Sequence, residues 1–222
     1  ARDLMADSSA ARVVLTRHLV KAAKDSAMER QLYRSVDEMI FVSEAARQAF
    51  LSGRPGCDET KLHVVHNSII PPGPLDRVSS DDGKVRLLYI GRISPEKGVD
   101  VLVDAMAKLS DLPVHLTVAG VGRGKDVLPL MRECRNSRID GRVEWPGHVA
   151  DVYRAIASAD IGVLPTRVAE AFGLSALEFM SQGVPVVASA SGGIPEIIAD
   201  GTDGLLVEPG NPEALARAIR HL

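Results

Sequence analysis

The stretch VRLLYIGRISPEKG, residues 85–98, decides the fold of this chain. Its first six residues are a mostly apolar run, as expected of a strand that is buried inside a parallel sheet. Gly91 ends the strand with a sharp turn, and Pro95 suits the first turn of a helix. Arg92 and Lys97 precede that helix, where a cation is misplaced unless an anion lies beside the helix N-terminus. The pattern predicts a phosphate or diphosphate clamp, with two solvated surface cations as the alternative.

The chain after this stretch alternates between apolar strands and amphipathic helices. Strands without polar alternation, separated by helices, predict a parallel sheet that is covered on both faces. We therefore expect residues 84–222 to form an α/β domain with a Rossmann-like, doubly wound parallel sheet. Its strands are predicted at residues 85–90, 115–119, 143–145, 161–164, 184–188 and 204–207, and its helices at 99–109, 127–134, 152–158, 174–181, 195–199 and 212–222.

The residues before this domain form a smaller α/β pattern. Its strands are predicted at residues 13–15, 38–42 and 62–65, and its helices at about 20–33 and at 45–52. Three prolines between residues 71 and 74 then exclude helix and central strand. We expect residues 1–66 to be a partial second Rossmann-like domain and residues 67–83 to be an interdomain linker. The start without Met and the predicted helix at the end lead us to expect a piece of a longer protein.

Composition argues against several classes of protein. The 222 residues are 45% hydrophobic and 25% charged, a globular balance that disordered chains lack. A net charge of -3 at pH 7 argues against nucleic acid as a partner, and no apolar run approaches the roughly 20 residues of a membrane span. Cys57 and Cys134 fit neither a metal pattern nor a disulfide scaffold, which favours free thiols in a reduced cytosol. We therefore expect a cytoplasmic protein.

The loop that leads into the helix at residue 174 carries the densest set of polar groups. Glu178 lies about one turn into that helix, within reach of hydroxyl groups on a ligand whose phosphate binds at the helix start. Glu170 and Glu178 also suggest the acid and base of a glycosidase, but a carboxylate beside an anion site fits sugar or ribose recognition better. A solvated Glu178 is the bland alternative. The predicted unpaired donors at the positive end of the helix are the amides of Gly173, Leu174 and Ser175.

Two further glycine-rich turns follow predicted strands. Residues 120–125, GVGRGK, lack the third glycine of a dinucleotide-binding fingerprint because Lys125 stands in its place. A tight turn is the better interpretation, and it disfavours a nicotinamide-dependent oxidoreductase. Residues 191–196, SGGIPE, join a strand to a helix, and turn geometry alone accounts for their glycines.

In their order along the chain, these motifs resemble those of one enzyme family. The matching pieces are residues 91–98, the E-x7-E motif from Glu170 to Glu178, and residues 185–188, 192–198 and 204–207. They resemble the carboxy-terminal, donor-binding domain of retaining glycosyltransferases of the GT-B fold, specifically glycosyltransferase family four (glycosyl transferases group 1). The resemblance is weaker over residues 13–66, and Asn67-Ser68 departs from the family's usual Asn-Gly.

The resemblance implies transfer of a sugar, with retention, from a UDP-, GDP- or ADP-sugar to a glycan, a glycolipid or a small metabolite. Arg92 and Lys97 would hold the diphosphate, and Glu170 would hold the donor sugar, which His18 of the amino-terminal domain would face. These four residues are the predicted catalytic set. The predicted donor-binding residues are Gly91, Phe172, Gly173, Leu174 and Ser175, with Glu178 at the ribose hydroxyls and Gly147, His148 and Val149 near the base.

The resemblance also bears on cofactors and partners. No Asp-x-Asp motif is present and the two cations already supply charge, so we expect no metal ion and no other cofactor. The expected partners are the nucleotide-sugar donor and an unidentified acceptor. The basic segment from Arg17 to Arg34 could touch anionic lipid at the inner face of the membrane, with a solvated helix face as the alternative. A second function left open is a truncated domain that binds nucleotide without activity of its own.

Overall fold

The structure is a computed structural model that describes residues 12–78 and 82–222. The chain divides into two units, Ala1–Asn67 and Ser68–Leu222. All strand pairs in the described ranges are parallel, and helices lie between most of the strands, so the predicted α/β class is confirmed. None of the helices described is long and apolar enough to cross a membrane.

The first unit contains a three-stranded sheet in the order β1-β2-β3. Its core contains three packed aromatic rings: the Tyr33 and Phe50 ring centroids lie 5.0 Å apart in a T-shaped pair, and those of Phe41 and Phe50 lie 5.2 Å apart. Its elements are β1 (Val14–Arg17), α1 (Ala27–Ser35), β2 (Glu38–Phe41), α2 (Glu44–Ser52) and β3 (Leu62–Val64).

The prediction of a helix from about residue 20 was wrong at its start. Helix α1 begins at Ala27 because the Ser26 side chain caps it, accepting a hydrogen bond from the Glu29 amide at 3.2 Å. Residues 18–25 are not helical, and the Ala23 amide donates instead to the Phe50 carbonyl of α2 at 3.1 Å. The segment from Arg17 to Arg34 is therefore not one basic helix, and the Arg17 guanidinium lies 4.8 Å from the Phe50 ring centroid.

The second unit contains a six-stranded sheet in the order β6-β5-β4-β7-β8-β9, the doubly wound arrangement that was predicted. From β4 the chain adds strands towards one side of the sheet, and from β7 it adds them towards the other. The crevice between the carboxyl ends of these two neighbouring strands is therefore the topological switch point. Its strands are β4 (Val85–Ile90), β5 (Val114–Ala119), β6 (Val143–Gly147), β7 (Ile161–Leu164), β8 (Val186–Ser189) and β9 (Gly204–Val207). Its helices are α3 (Val99–Lys108), α4 (Gly124–Asn136), α5 (Val152–Ala157), α6 (Leu174–Ser181) and α7 (Pro212–His221).

Helices cover both faces of this sheet, as the uninterrupted apolar strands require. Helices α3, α4 and α7 pack on the face that carries Leu87 and Tyr89, and α5 and α6 pack on the opposite face with Leu88. Gly162 of β7 makes room for α6, because a Cβ atom there would lie 2.5 Å from Cγ of Phe179. The strands of the switch point are thus packed between two apolar layers, one on each face of the sheet.

The predicted linker contains no helix or strand among its described residues, 67–78 and 82–83. Its second part is fixed to the second unit. The Val78 amide donates to the Ala157 carbonyl at 3.1 Å, and the Arg77 guanidinium donates to the Ala159 carbonyl at 2.7 Å. The first bond satisfies a backbone amide of a segment without sheet or helix partners, and the second attaches the segment through a side chain.

Asp160 organises the amino-terminal edge of the sheet, at the start of β4 and β7. Its carboxylate accepts from the Arg86 amide at 2.8 Å, from the Arg86 Nε at 3.1 Å, and from Arg77 at 3.3 Å. Burial alone would raise the pKa of Asp160, but the side-chain and backbone hydrogen bonds from Arg86 leave it lowered overall. The ionised carboxylate is therefore the form that the fold favours.

We expect Asp160→Asn to lower the free energy of unfolding by about 1–2 kcal/mol at pH 7. A carboxyl whose folded pKa lies below its unfolded value stabilises the protein above about pH 4, and that stability is lost as the pH falls through the folded pKa. The difference between wild type and variant should therefore shrink on acidification. Urea unfolding followed through Trp145, the single tryptophan, measures it.

Asp76→Asn, at an exposed aspartate of the same unit, is the matched control. An Asp160→Asn loss that is equally large at pH 7 and pH 3 would contradict the role of the ionised carboxylate.

Candidate functional site

The predicted site residues of the second unit all lie at the carboxyl edge of its sheet, where ligands bind in doubly wound folds. They come from three strand ends and one helix. The loop after β4 carries Gly91, Arg92 and Lys97. The end of β6 and the loop that follows it carry Gly147, His148 and Val149. The loop after β7 and helix α6 carry Glu170, Phe172, Gly173, Leu174, Ser175 and Glu178.

The ends of β4, β5 and β6 are brought together by glycines. The Gly91 amide donates to the Ala119 carbonyl at 3.0 Å, and the Gly120 amide donates to the Gly147 carbonyl at 2.8 Å. A Cβ atom at Gly120 would lie 1.8 Å from the Gly91 carbonyl oxygen, so this approach excludes any side chain. Residues 120–122 therefore serve strand packing, and α4 begins at Gly124.

A cavity of about 240 Å³ opens between these strand ends. Four predicted residues line it: Gly91, Arg92, His148 and Val149. The rest of its wall is apolar apart from backbone, and is formed by Ile90, Ala119, Gly120, Val121, Val152 and Ala155. A small apolar cavity with cationic and imidazole groups among its lining residues suits a flat heteroaromatic ring that is attached to an anion.

Lys97 and Glu170, which were predicted to act on the same ligand, contact one another directly. The Lys97 Nζ lies 2.5 Å from the Glu170 Oε2, and the two side chains are 26% and 24% exposed. Arg92 differs, because its exposed guanidinium has no hydrogen bond or ion pair with any residue that the structure describes. The site thus holds one paired cation and one free cation.

The loops after β4 and β7 are joined by main-chain contacts. A Cβ atom at Gly98 would lie 2.0 Å from the Pro165 carbonyl oxygen, so the two backbones touch where only glycine fits. The Arg167 amide donates to the Glu96 carbonyl at 2.9 Å, and the buried Thr166 hydroxyl lies 3.2 Å from the same oxygen. These contacts hold Lys97 opposite the loop that carries Glu170.

The glycine turn after β8 supports Glu170 from the other side. The Gly193 amide donates to the Glu170 carbonyl at 2.8 Å. Gly192 has a φ of +60°, and a Cβ atom there would lie 2.0 Å from the Glu170 carbonyl oxygen and 2.6 Å from its nitrogen. The sequence reading of residues 191–196 as a simple turn therefore missed that this turn positions Glu170.

The N-terminus of α6 faces the same edge without a side-chain cap. Within the described ranges the amides of Gly173, Leu174 and Ser175 have no hydrogen-bond acceptor, while Phe172 is buried. Unpaired amides at the positive end of a helix attract an anion. The predicted donors are therefore available to a ligand.

Glu178 is partly buried in α6, and its carboxylate has no hydrogen-bond donor in the part of the chain that the structure describes. Burial raises the pKa of Glu178, and burial together with the Glu178 charge raises the pKa of Tyr153 on α5. A partly desolvated carboxylate without a donor is poorly stabilised by the protein alone. A ligand hydroxyl would supply the missing donor.

Tyr89 is a residue of the site that the sequence reading placed only in a strand. Its hydroxyl is buried and donates to the Arg92 carbonyl at 2.6 Å, which fixes the first turn of the loop after β4. Burial is the main reason that the pKa of Tyr89 is raised, with a further increase from the Glu170 charge. No sequence pattern marks this tyrosine, because its role depends on a loop that turns back over its own strand.

His18 belongs to the first unit, where it is exposed directly after β1. That His18 faces the donor sugar stays a prediction. Among the described residues, no three His, Cys, Asp or Glu side chains are grouped closely enough to hold a metal ion.

We expect Gly192→Ala to destabilise the second unit more than Gly183→Ala does. Both glycines have positive φ values, +60° and +68°, so both substitutions carry a backbone strain of about 1–2 kcal/mol. A Cβ atom at Gly183 would meet nothing within 4 Å, whereas at Gly192 it would collide with the Glu170 backbone. Urea unfolding followed through Trp145 should show the additional loss, and equal losses for the two variants would contradict the close packing.

Comparison with curated proteins identifies related sequences. A D-inositol 3-phosphate glycosyltransferase of Mycolicibacterium gilvum is 32% identical, and the match covers 97% of this chain and 54% of that protein. The chain spans about half the length of the curated relatives it matches, for example 46% of the corresponding enzyme of Segniliparus rotundus, with 32% identity over 87% of this chain.

Solved structures have the same fold. A crystal structure of the Anabaena HepE protein in complex with UDP and glucose superposes with a TM-score of 0.80 at 24% identity, covering 95% of this chain and 61% of that one. Sucrose-phosphate synthase of Thermosynechococcus elongatus gives a TM-score of 0.71 at 26% identity, covering 94% of this chain and 57% of that one. The family model described as glycosyl transferases group 1 matches residues 84–222. The resemblance found in the motifs is confirmed for the fold and for the group 1 family, and the chain therefore belongs to the group 1 glycosyltransferases.

Proposed function

We propose that this chain carries the donor site of a retaining, metal-independent glycosyltransferase of family four, which takes a sugar from a nucleotide-diphospho-sugar. The observation that carries the proposal is the convergence of Arg92, the Lys97–Glu170 pair and the uncapped N-terminus of α6 at one topological switch point. Family membership and relatives named as glycosyltransferases support it. The retaining outcome rests on the resemblance to family four.

The diphosphate is proposed to lie between the loop after β4 and the start of α6. When the glycosidic bond breaks, negative charge grows on the departing nucleoside diphosphate. Once the donor has bound, two cations and a helix N-terminus lie beside this charge and stabilise it as it forms, which is the arrangement that lowers barriers most. Because these groups supply the positive charge, we propose that the reaction needs no metal ion.

The nucleoside is proposed to extend from the diphosphate towards β5 and β6. The cavity beside His148 and Val149 takes the base, and its apolar wall gives stacking and burial without fixing which base is bound. Glu178 accepts hydrogen bonds from the ribose hydroxyls, which provides the donors that its carboxylate lacks in the protein.

The donor sugar is proposed to lie beside Glu170 and the amides of residues 172–174. Its hydroxyls donate to the Glu170 carboxylate, and the amides stabilise their oxygens. His18 of the first unit is proposed to face the sugar. The acceptor is proposed to be a glycan, a glycolipid or a small metabolite, and contact of residues 17–34 with a membrane stays a prediction.

A truncated domain that binds nucleotide without turnover is the second candidate, and one observation favours it: the chain spans 54% of the length of its Mycolicibacterium relative. Both candidates predict nucleotide binding. Turnover assays with this chain alone separate them, because sugar transfer by the chain would exclude the inactive fragment.

A thermal-shift panel of UDP, GDP, ADP, their glucose or mannose conjugates and NAD tests the proposal. A ligand that binds the folded state raises the unfolding temperature. At least one nucleoside diphosphate and its sugar conjugate should raise it, and NAD should not. No shift with any nucleoside diphosphate or its sugar would contradict the donor site.

We expect Arg92→Ala to weaken binding of the nucleoside diphosphate by about tenfold to a hundredfold, since each lost charge-assisted hydrogen bond costs about 1.5–3 kcal/mol. Binding of the nucleoside without phosphates should change little. Titration calorimetry measures both. Arg123→Ala is the matched control, because Arg123 lies at the same sheet edge and pairs with Asp126. Equal losses for the diphosphate and the nucleoside would contradict a phosphate contact.

We expect Glu178→Gln to weaken the nucleoside and the nucleoside diphosphate alike, by about tenfold, because both carry the ribose. Glu213→Gln on α7, where the carboxylate pairs with Lys108, is the control with the same change of charge. Unchanged calorimetric affinities in Glu178→Gln would refute the ribose contact.

A further inference from the structure

We propose that Glu170 discriminates between the intact sugar donor and the sugar-free nucleoside diphosphate, because its carboxylate competes with the diphosphate for Lys97. This inference rests on the proposed donor site and deepens it. It assigns to Glu170 a role in donor specificity and product release, in addition to its proposed contact with the sugar.

The competition follows from the ion pair between Lys97 and Glu170. The Lys97 Nζ is 2.5 Å from the Glu170 Oε2, and this ammonium has no other hydrogen-bond or ion-pair partner among the described residues. The Lys97 ammonium has three donors but only one positive charge, so a phosphate that binds it either displaces the Glu170 carboxylate or brings two anions against each other. Binding of a diphosphate to Lys97 therefore weakens or breaks the ion pair that stabilises the Glu170 carboxylate.

The main chain of Glu170 cannot move away to reduce this loss. The Gly193 amide holds the Glu170 carbonyl at 2.8 Å, and the backbone of Gly192 packs directly on the same residue. After displacement the carboxylate stays close to Lys97 and to the incoming phosphate. A partly buried charge that has lost its partner is destabilising, and a like charge nearby adds to the penalty.

The nucleotide sugar and the nucleoside diphosphate differ in the hydrogen-bond donors that they offer to the Glu170 carboxylate. An intact donor brings sugar hydroxyls that donate to the freed carboxylate and offset the loss. A nucleoside diphosphate brings none, and its terminal phosphate carries an additional negative charge. The site should therefore favour the donor over the nucleotide product, and the return of Glu170 to Lys97 should assist product release.

Titration calorimetry of Glu170→Gln tests this with matched ligands: UDP and UDP-glucose, GDP and GDP-mannose, or ADP and ADP-glucose, whichever pair wild type binds best in the thermal-shift panel. The neutral amide competes weakly for Lys97. We expect the nucleoside diphosphate to bind about tenfold more tightly than to wild type, while the nucleotide sugar does not gain. Glu144→Gln on β6, an exposed position, controls for the change in net charge.

A second variant separates competition for Lys97 from general repulsion. In a Lys97→Met background the gain from Glu170→Gln should largely disappear, and this double-mutant cycle gives the coupling between the two residues. Unchanged or weaker binding of the diphosphate by Glu170→Gln overturns the inference while leaving the donor site in place, and so does a gain that persists without Lys97. Wild type that binds none of the three diphosphates overturns the donor site as well.

Discussion

The close approach of two backbones at the switch point constrains everything else at this site. Gly98 touches Pro165 so tightly that a methyl group would lie 2.0 Å from the carbonyl oxygen. This contact is available because β4 and β7 are neighbours while the chain winds away from them in opposite directions. It brings the start of α3 against the loop after β7, and so places Lys97 opposite Glu170. Larger residues at this crossing would separate the loops.

The protein leaves the charged groups at the site incompletely satisfied, and the proposed nucleotide donor would complete them. Arg92 lacks an anion, Glu178 lacks a donor, and the first amides of α6 lack acceptors in the described part of the chain. Lys97 and Glu170 satisfy one another instead. A ligand that combines diphosphate, ribose and sugar hydroxyls supplies a partner for each group. This complementarity links the group 1 family fold to the proposed transfer of a sugar from a nucleotide.

The sequence was sufficient to predict the doubly wound sheet because most strands of the second unit are short, mostly apolar runs that alternate with helices. It also contained the start of α1, since Ser26 and Glu29 have the spacing of a helix cap, but apolar periodicity from residue 20 obscured it. The contacts that give the site its shape were less accessible. Lys97 and Glu170 are 73 residues apart, and the support of Glu170 by Gly192 depends on the adjacency of β7 and β8. Motifs therefore identified the residues, whereas their pairing required the strand order.

In the proposed site, a nucleoside diphosphate lies at the switch point and takes Lys97 from Glu170. A crystal structure of the chain with the nucleoside diphosphate that binds it best tests this arrangement. We expect phosphate oxygens about 3 Å from the Lys97 Nζ and from the first amides of α6, with the base in the cavity beside His148 and the Lys97–Glu170 pair broken. A nucleotide bound at another edge of the sheet, or one bound here with the pair intact, would contradict it.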